Sequence, residues 1–127
     1  MNLAIAFVFV GAGVGGVARY LLSAWLQGVA RGAFPVGTLV VNVTGCLLIG
    51  LLAAGALSGG AMSREDVRLG LVVGVLGGYT TMSSFGLETV RLMGEGRAGA
   101  ALAYVLLTNG LGLAAVWAGL RVGRSLG

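Results

Sequence analysis

The sequence predicts an all-α membrane protein with four transmembrane helices, and three observations support this fold class. The chain has 127 residues, of which 57% are hydrophobic and only 9% are charged, whereas about a quarter of the residues in a soluble domain are charged. Its mean hydropathy is +1.00. Charged residues are absent from the long windows 32–63, 69–87 and 98–120. Because about 20 apolar residues suffice to cross a bilayer, we expect one domain over residues 1–127 with spans at 3–26, 36–58, 68–92 and 98–121, in contact with lipid.

The first span, residues 3–26, contains GAGVGG, which matches the G-x-G-x-x-G pattern of a dinucleotide-binding turn. That turn needs an acidic residue about 20 positions later to hold the ribose, and residues 31–40 contain none. We therefore interpret Gly11, Gly15 and Ala18 as a small-residue face for close helix packing, and we expect no nucleotide ligand. Arg19 is the one charge in this span, and it is either an attractor of anions or a structural anchor.

The second and fourth spans, residues 36–58 and 98–121, each carry a pair of polar residues at helical spacing. Thr38 and Asn42 are four residues apart, and so are Tyr104 and Thr108. These side chains can donate hydrogen bonds without carrying a fixed charge. They indicate either hydrogen bonds between helices or a polar path through the membrane.

The third span, residues 68–92, contains the densest polar cluster of the chain, LGGYTTMSSFG at 76–86. Hydroxyl groups that compete for backbone partners and paired glycines make a continuous helix unfavourable here, so we expect a break in mid-membrane. Non-helical backbone at this depth must be buried in protein or line a cavity, and its free carbonyl groups can hold a hard cation such as Na⁺.

The residues after the predicted break suit a small anion. Met82 and Phe85 are three residues apart on one face, with the Ser84 hydroxyl beside them. Hydroxyl donors and the positive edge of an aromatic ring can replace part of an anion's hydration shell. Glu88 is the one acid expected inside a span, and the sequence leaves open whether it pairs with Arg91 or with Arg19.

The arginines are distributed almost equally between the two sides of the predicted bundle. The side that holds the termini carries Arg64, Arg68, Arg121 and Arg124, and the other side carries Arg31, Arg91 and Arg97. Orientation normally follows an excess of Lys and Arg on the cytoplasmic side, and here that signal nearly cancels. We hypothesise insertion in both orientations and assembly as a dual-topology antiparallel homodimer.

Three segments resemble the Fluc/CrcB family of fluoride channels: GxGxxGxxRY in the first span, GTLxxNxxG at 37–45 and GGxTTxSSFxxET at 77–89. The resemblance covers nearly the whole chain. It implies a four-helix antiparallel dimer in the bacterial plasma (inner) membrane, with two narrow pores beside a central structural Na⁺, that passively exports fluoride and so relieves fluoride toxicity.

By the same resemblance, Asn42 is the amide donor of the pore and Phe85 is an aromatic whose ring edge faces fluoride. Further implied positions are a polar track of Thr38, Tyr104 and Thr108, Na⁺-binding carbonyl groups of Gly77 and Thr80, and the first-helix arginine, Arg19. Two positions depart from the family pattern. Met82 stands at the first aromatic position of TTFSTF, and Gly112 stands where a serine often extends the track.

Other classes of protein fit the sequence less well. A small multidrug/proton antiporter needs a carboxylate in its first helix, and the first span has no acid. A purely structural membrane subunit leaves the polar cluster of the third span without a purpose. An enzyme lacks a general acid/base set, because the chain has no His and a single Cys. The arginines form no basic run with interleaved aromatics, so we expect no nucleic-acid partner.

Overall fold

A computed structural model describes residues 2–127, with residues 56–58 described by their backbone alone. Helix α1 (Leu3–Ala30) and helix α2 (Val36–Ser58) precede a short 3₁₀ turn (Gly60–Ser63). The third span follows in pieces: α3 (Glu65–Arg68), a π-helical segment (Leu69–Leu76), α4 (Gly77–Tyr79) and α5 (Met82–Gly94). Helix α6 (Ala98–Leu126) ends the chain. The described residues contain four helices long and apolar enough to cross a membrane, and no strand, which confirms the predicted fold class.

The third span is broken where the two threonines meet. Thr80 (φ −86°, ψ 156°) and Thr81 (φ −147°, ψ 116°) are both extended. The predicted break is confirmed, but its position differs in detail from the paired glycines, because Gly77 and Gly78 still lie in the helical turn α4. The Thr81 side chain ends the extended stretch by accepting a hydrogen bond from the Ser84 N–H, and so caps α5.

Helix α1 packs on the π-helical segment and α4, and glycines allow the close approach. A Cβ atom at Gly11 would collide with the carbonyl oxygen of Gly70, and one at Gly15 with that of Val75. Both glycines are buried, as the sequence predicts for a packing face. Ala18 is exposed in the single chain, so the prediction for this third member was wrong. One turn after Gly15, it is Arg19 that contacts the third span.

Helices α2 and α6 form the other close pair, and they cross at glycines. A Cβ atom at Gly50 would collide with the carbonyl oxygen of Val116, and one at Gly119 with that of Leu47. The two pairs of helices bring the middle of α2 and the middle of α6 to the break in the third span. The outward surface is apolar, with Phe9 78% exposed and Leu102 60% exposed, as suits contact with lipid.

Candidate functional site

Asn42 on α2 holds the break in the third span open through a pair of hydrogen bonds. Its Oδ1 accepts from the Thr81 N–H at 2.7 Å, and its Nδ2 donates to the Thr81 carbonyl oxygen at 3.0 Å. The side-chain amide thus bonds both the N–H and the carbonyl group of Thr81, the same two backbone groups that a neighbouring β-strand would bond. One Nδ2 hydrogen is used in this pair, so a second remains for another acceptor.

These bonds release two carbonyl groups from the helix. In a continuous α-helix the Thr81 N–H would donate to the Gly77 carbonyl and the Ser84 N–H to the Thr80 carbonyl. Instead, Thr81 donates to Asn42 and Ser84 donates to the Thr81 Oγ1 at 3.2 Å. The two positions predicted from the resemblance to hold Na⁺, Gly77 and Thr80, are therefore the ones whose helical donors are engaged elsewhere.

Arg19 reaches the same break from α1. Its Nε donates to the carbonyl oxygen of Gly78 at 3.0 Å, and the guanidinium is partly buried. This is the contact that the interpretation of Arg19 as a structural anchor requires. The positive charge of Arg19 is also favourable here because the carbonyl groups lie at the C-terminal end of a helical segment, where the partial charge is negative.

A cavity of about 430 Å³ opens at the break between α2, the third span and α6. Its wall includes four predicted pore residues, Asn42, Met82, Phe85 and Thr108, and also Gly77 and Thr80. In the described part of the chain, no charged side chain lines this cavity. The polar groups that line it, which belong to Asn, Thr and Cys, are neutral, so the wall can donate hydrogen bonds to an anion without trapping it by charge.

The Thr108 hydroxyl stands out on this wall. Its Oγ1 is the only buried side-chain nitrogen or oxygen among the described residues that lacks a hydrogen-bond partner. A buried hydroxyl without a partner is costly, and such an atom calls for an explanation such as a bound ion or water. Thr108 is therefore a position where the cavity wall has an unused donor.

Thr38 and Tyr104, the other two residues of the predicted track, meet at a half-buried carboxylate, that of Glu88. The Thr38 hydroxyl donates to Glu88 Oε1 and the Tyr104 hydroxyl to Glu88 Oε2, each at 2.8 Å. Glu88 thus pairs with neither Arg91 nor Arg19, since Arg64–Asp66 is the only salt bridge within the described residues. Two hydroxyl groups supply the hydrogen bonds that an arginine was expected to supply.

Phe85 joins the carboxylate cluster to the cavity. Its ring packs on the Tyr104 ring with centroids 5.1 Å apart and planes tilted by 55°. It is 8% exposed, whereas Met82 is 78% exposed in the single chain. Ser84 does not line the cavity. Apart from Ser84, the predicted pore side chains therefore divide into a cavity group (Asn42, Met82 and Thr108) and a Glu88 group (Thr38, Tyr104 and Glu88). Phe85 lines the cavity and packs on Tyr104 of the Glu88 group.

The sequence interpretation missed Thr81 and Asn109. Thr81 is buried, caps α5 and pairs with Asn42, and its place just before a helical stretch was the available signal. Asn109 lies on the cavity wall beside Thr108. An amide in the middle of an apolar span was a signal too, but it lies outside the face that Tyr104 and Thr108 define.

Comparisons with known proteins agree with the geometry. The family model described as CrcB-like protein, Camphor Resistance (CrcB), matches residues 6–120. A protein of Geobacter sulfurreducens named fluoride-specific ion channel FluC is 46% identical over 126 residues, which are 99% of this chain and 100% of that protein. A Rhizobium meliloti protein of the same name is 44% identical over 122 residues, 96% of this chain and 97% of its own length. The chain belongs to the CrcB family.

Proposed function

We propose that this multi-pass membrane protein is a fluoride-selective ion channel through which fluoride leaves the cytoplasm passively. The observation that carries the proposal is the near-complete match to relatives named fluoride-specific ion channels. The cavity at the helix break supports it, because its wall combines amide and hydroxyl donors with an aromatic ring, and none of the described residues brings a charged side chain to it. Such a site favours passage of an anion over chemical conversion of a substrate, so the protein is a channel and not an enzyme.

The residues of the cavity have distinct tasks in this proposal. Asn42 offers its second N–H to fluoride while its other polar atoms hold Thr81. Thr108 offers a hydroxyl that has no other partner. Phe85 presents a ring whose edge is positive. Fluoride loses its water to these donors, and none of them binds it so strongly that it cannot leave.

The Glu88 group sets the orientation of two further hydroxyl groups. Because Thr38 and Tyr104 both donate to Glu88, their oxygen lone pairs, and not their hydrogens, are available to other groups. For either hydroxyl to hold fluoride, it must turn away from the carboxylate. We expect Thr38 and Tyr104 to exchange their hydrogen bonds between Glu88 and a passing anion, and Phe85 to shield this exchange from lipid.

The released carbonyl groups of Gly77 and Thr80 fit a structural Na⁺, since a hard cation prefers oxygen ligands. Na⁺ would supply fixed positive charge between two copies of the chain, each of which contributes its own pair of carbonyl groups. Gly77 is exposed in the single chain, as this arrangement requires. Replacing Na⁺ by N-methylglucamine should then lower the thermal stability of the purified dimer; equal stability in both salts would count against the site.

A functional test in cells addresses the export of fluoride across the bacterial inner membrane. Fluoride enters bacteria as HF, which dissociates inside, so an open path for F⁻ lets the anion leave down its gradient. Expression of the wild-type chain should restore growth in fluoride to bacteria that lack a fluoride exporter, and Asn42→Ala should not. Equal fluoride sensitivity with and without the wild-type chain, at confirmed membrane expression, would contradict the proposal.

A further inference from the structure

Asn109 is a polar residue of the cavity wall to which the proposed function assigns no role. It follows Thr108 directly on α6 and lines the cavity with Thr108, Cys46 and Gly112. Helix α6 runs from Ala98 to Leu126, so Asn109 lies about 4.5 Å along the axis from the helix midpoint, at 1.5 Å per residue. Its position is therefore close to the middle of the membrane.

An exposed amide at this depth is expensive unless it faces water or a polar partner. Asn109 is exposed in the single chain, although the other exposed positions of α6 from Ala98 to Leu120 are apolar. Since it borders the cavity, the cavity is the polar environment that the structure offers it.

The geometry leaves part of the Asn109 amide available. Its Nδ2 donates to the Val105 carbonyl oxygen at 2.8 Å, one helical turn earlier. This bond uses one of the two Nδ2 hydrogens and fixes the side chain against its own helix. Because the side chain is already ordered by this bond, its second N–H can bind an anion with little further loss of conformational entropy. The same holds for Asn42.

Apart from Asn109, Thr108 is the only residue of α6 that brings a strong donor to the cavity wall. On the face of α6 that carries Tyr104 and Thr108, the next position is Gly112, which has no side chain. A Cβ atom built at Gly112 would lie 3.3 Å from the Sγ of Cys46, and a thiol is a weak donor. An anion that moves along α6 past Thr108 therefore meets the Asn109 amide as the next strong donor.

We propose that Asn109 is a second amide donor of the ion path, which contacts the anion between Thr108 and the open side of the cavity. This inference rests on the proposed function and adds a residue to it. Asn42 on α2 and Asn109 on α6 then face the same cavity, each with one amide hydrogen tied to backbone and one directed to the anion.

The test measures fluoride efflux from liposomes for Asn109→Leu and Asn109→Asp. Leu keeps the branched shape and the number of heavy atoms of the side chain and suits a membrane helix. We expect it to lower the rate at least about tenfold, the effect of losing one hydrogen bond to a charged group. Asp removes both N–H donors and can add negative charge, so its rate should be lower still. Leu106→Ala is the matched control, because Leu106 is 62% exposed on the same helix and does not line the cavity.

Each outcome bears on the inference. Wild-type rates in both Asn109 variants overturn it while leaving the proposed function in place. Loss of the dimer in Asn109→Leu, seen by size-exclusion chromatography, also overturns it and assigns the amide to assembly. A lowered rate with an intact dimer and an unchanged Leu106→Ala supports it. Absence of fluoride efflux from the wild-type chain itself overturns the proposed function and the inference together.

Discussion

At the scale of single residues, the Asn42 amide holds the helix break, in addition to the donor role that the sequence predicts for it. The polar spacing of Thr38 and Asn42 predicted a donor at membrane depth, but the partner of Asn42 lies 39 residues away at Thr81. No local pattern encodes a contact of that separation. The role of Asn42 in opening the helix break could therefore be found only in the folded structure.

Asn42→Ala should abolish fluoride efflux and also destabilise the break. It removes both hydrogen bonds to Thr81, and each buried backbone group left without a partner costs about 1–3 kcal/mol. Thermal unfolding of the purified protein should show a lower midpoint with the dimer retained. Full efflux in this variant would remove Asn42 from the path, and an unchanged midpoint would show that Thr81 finds other partners.

Substitutions of Met82 and of Phe85 should lower fluoride efflux to different extents. Phe85 is 8% exposed and packs on Tyr104, whereas Met82 is 78% exposed in the single chain. A thioether also lacks the positive edge of an aromatic ring. Phe85→Ile should abolish efflux, and Met82→Ala should lower it less than Phe85→Ala does. Phe9→Ile, at a residue 78% exposed on α1, is the control; equal losses for Met82→Ala and Phe85→Ala would contradict an asymmetric pair.

At the scale of elements, composition predicted the four spans, and the glycine spacing predicted which face of α1 packs. Hydroxyl groups and paired glycines predicted the break. The π-helical form of Leu69–Leu76 was not predictable, because its sequence, LGLVVGVL, is compatible with either hydrogen-bond register. Packing on α1 through Gly70 and Gly74 is a tertiary contact that single-segment patterns do not contain.

Two glycines of α1 provide a matched test of this packing. A Cβ atom at Gly15 would collide with the Val75 carbonyl oxygen, whereas one at Gly16 meets nothing within 4 Å. Gly15→Ala should force α1 away from the third span and lower the unfolding midpoint. Gly16→Ala should be neutral or slightly stabilising, because Ala is favoured over Gly in a helix by about 1 kcal/mol. The opposite ranking would show that the two helices pack differently.

At the scale of the whole molecule, the Glu88 group shows that hydrogen bonds between spans cannot be predicted from the sequence of each span alone. Thr38, Glu88 and Tyr104 come from α2, α5 and α6, and an arginine partner for Glu88 was the simplest expectation from sequence spacing. The arrangement of helices instead brings two hydroxyl groups to the carboxylate. Which spans are neighbours is a property of the bundle, so the sequence identified the three polar residues of this group but not their pairing.

The near-equal distribution of arginines predicts both orientations in the membrane. Reporter fusions at the C-terminus, one active only in the cytoplasm and one only outside it, should both give signal. Adding two lysines after Gly127 should bias the chain to one orientation, because positive charge favours the cytoplasmic side. If the proposed antiparallel dimer is the working unit, this change should also lower fluoride export, because few oppositely oriented copies remain. A single location for the wild-type C-terminus would contradict dual topology.

The central claim is that the cavity at the helix break conducts fluoride selectively, and efflux from liposomes tests it most directly. Liposomes that contain the purified wild-type protein and are loaded with fluoride should release it rapidly when an ionophore balances the charge. The same liposomes loaded with chloride should retain it, and those with Asn42→Ala should retain both ions. Equal release of fluoride and chloride, or no release of fluoride by the wild-type protein, would contradict the account.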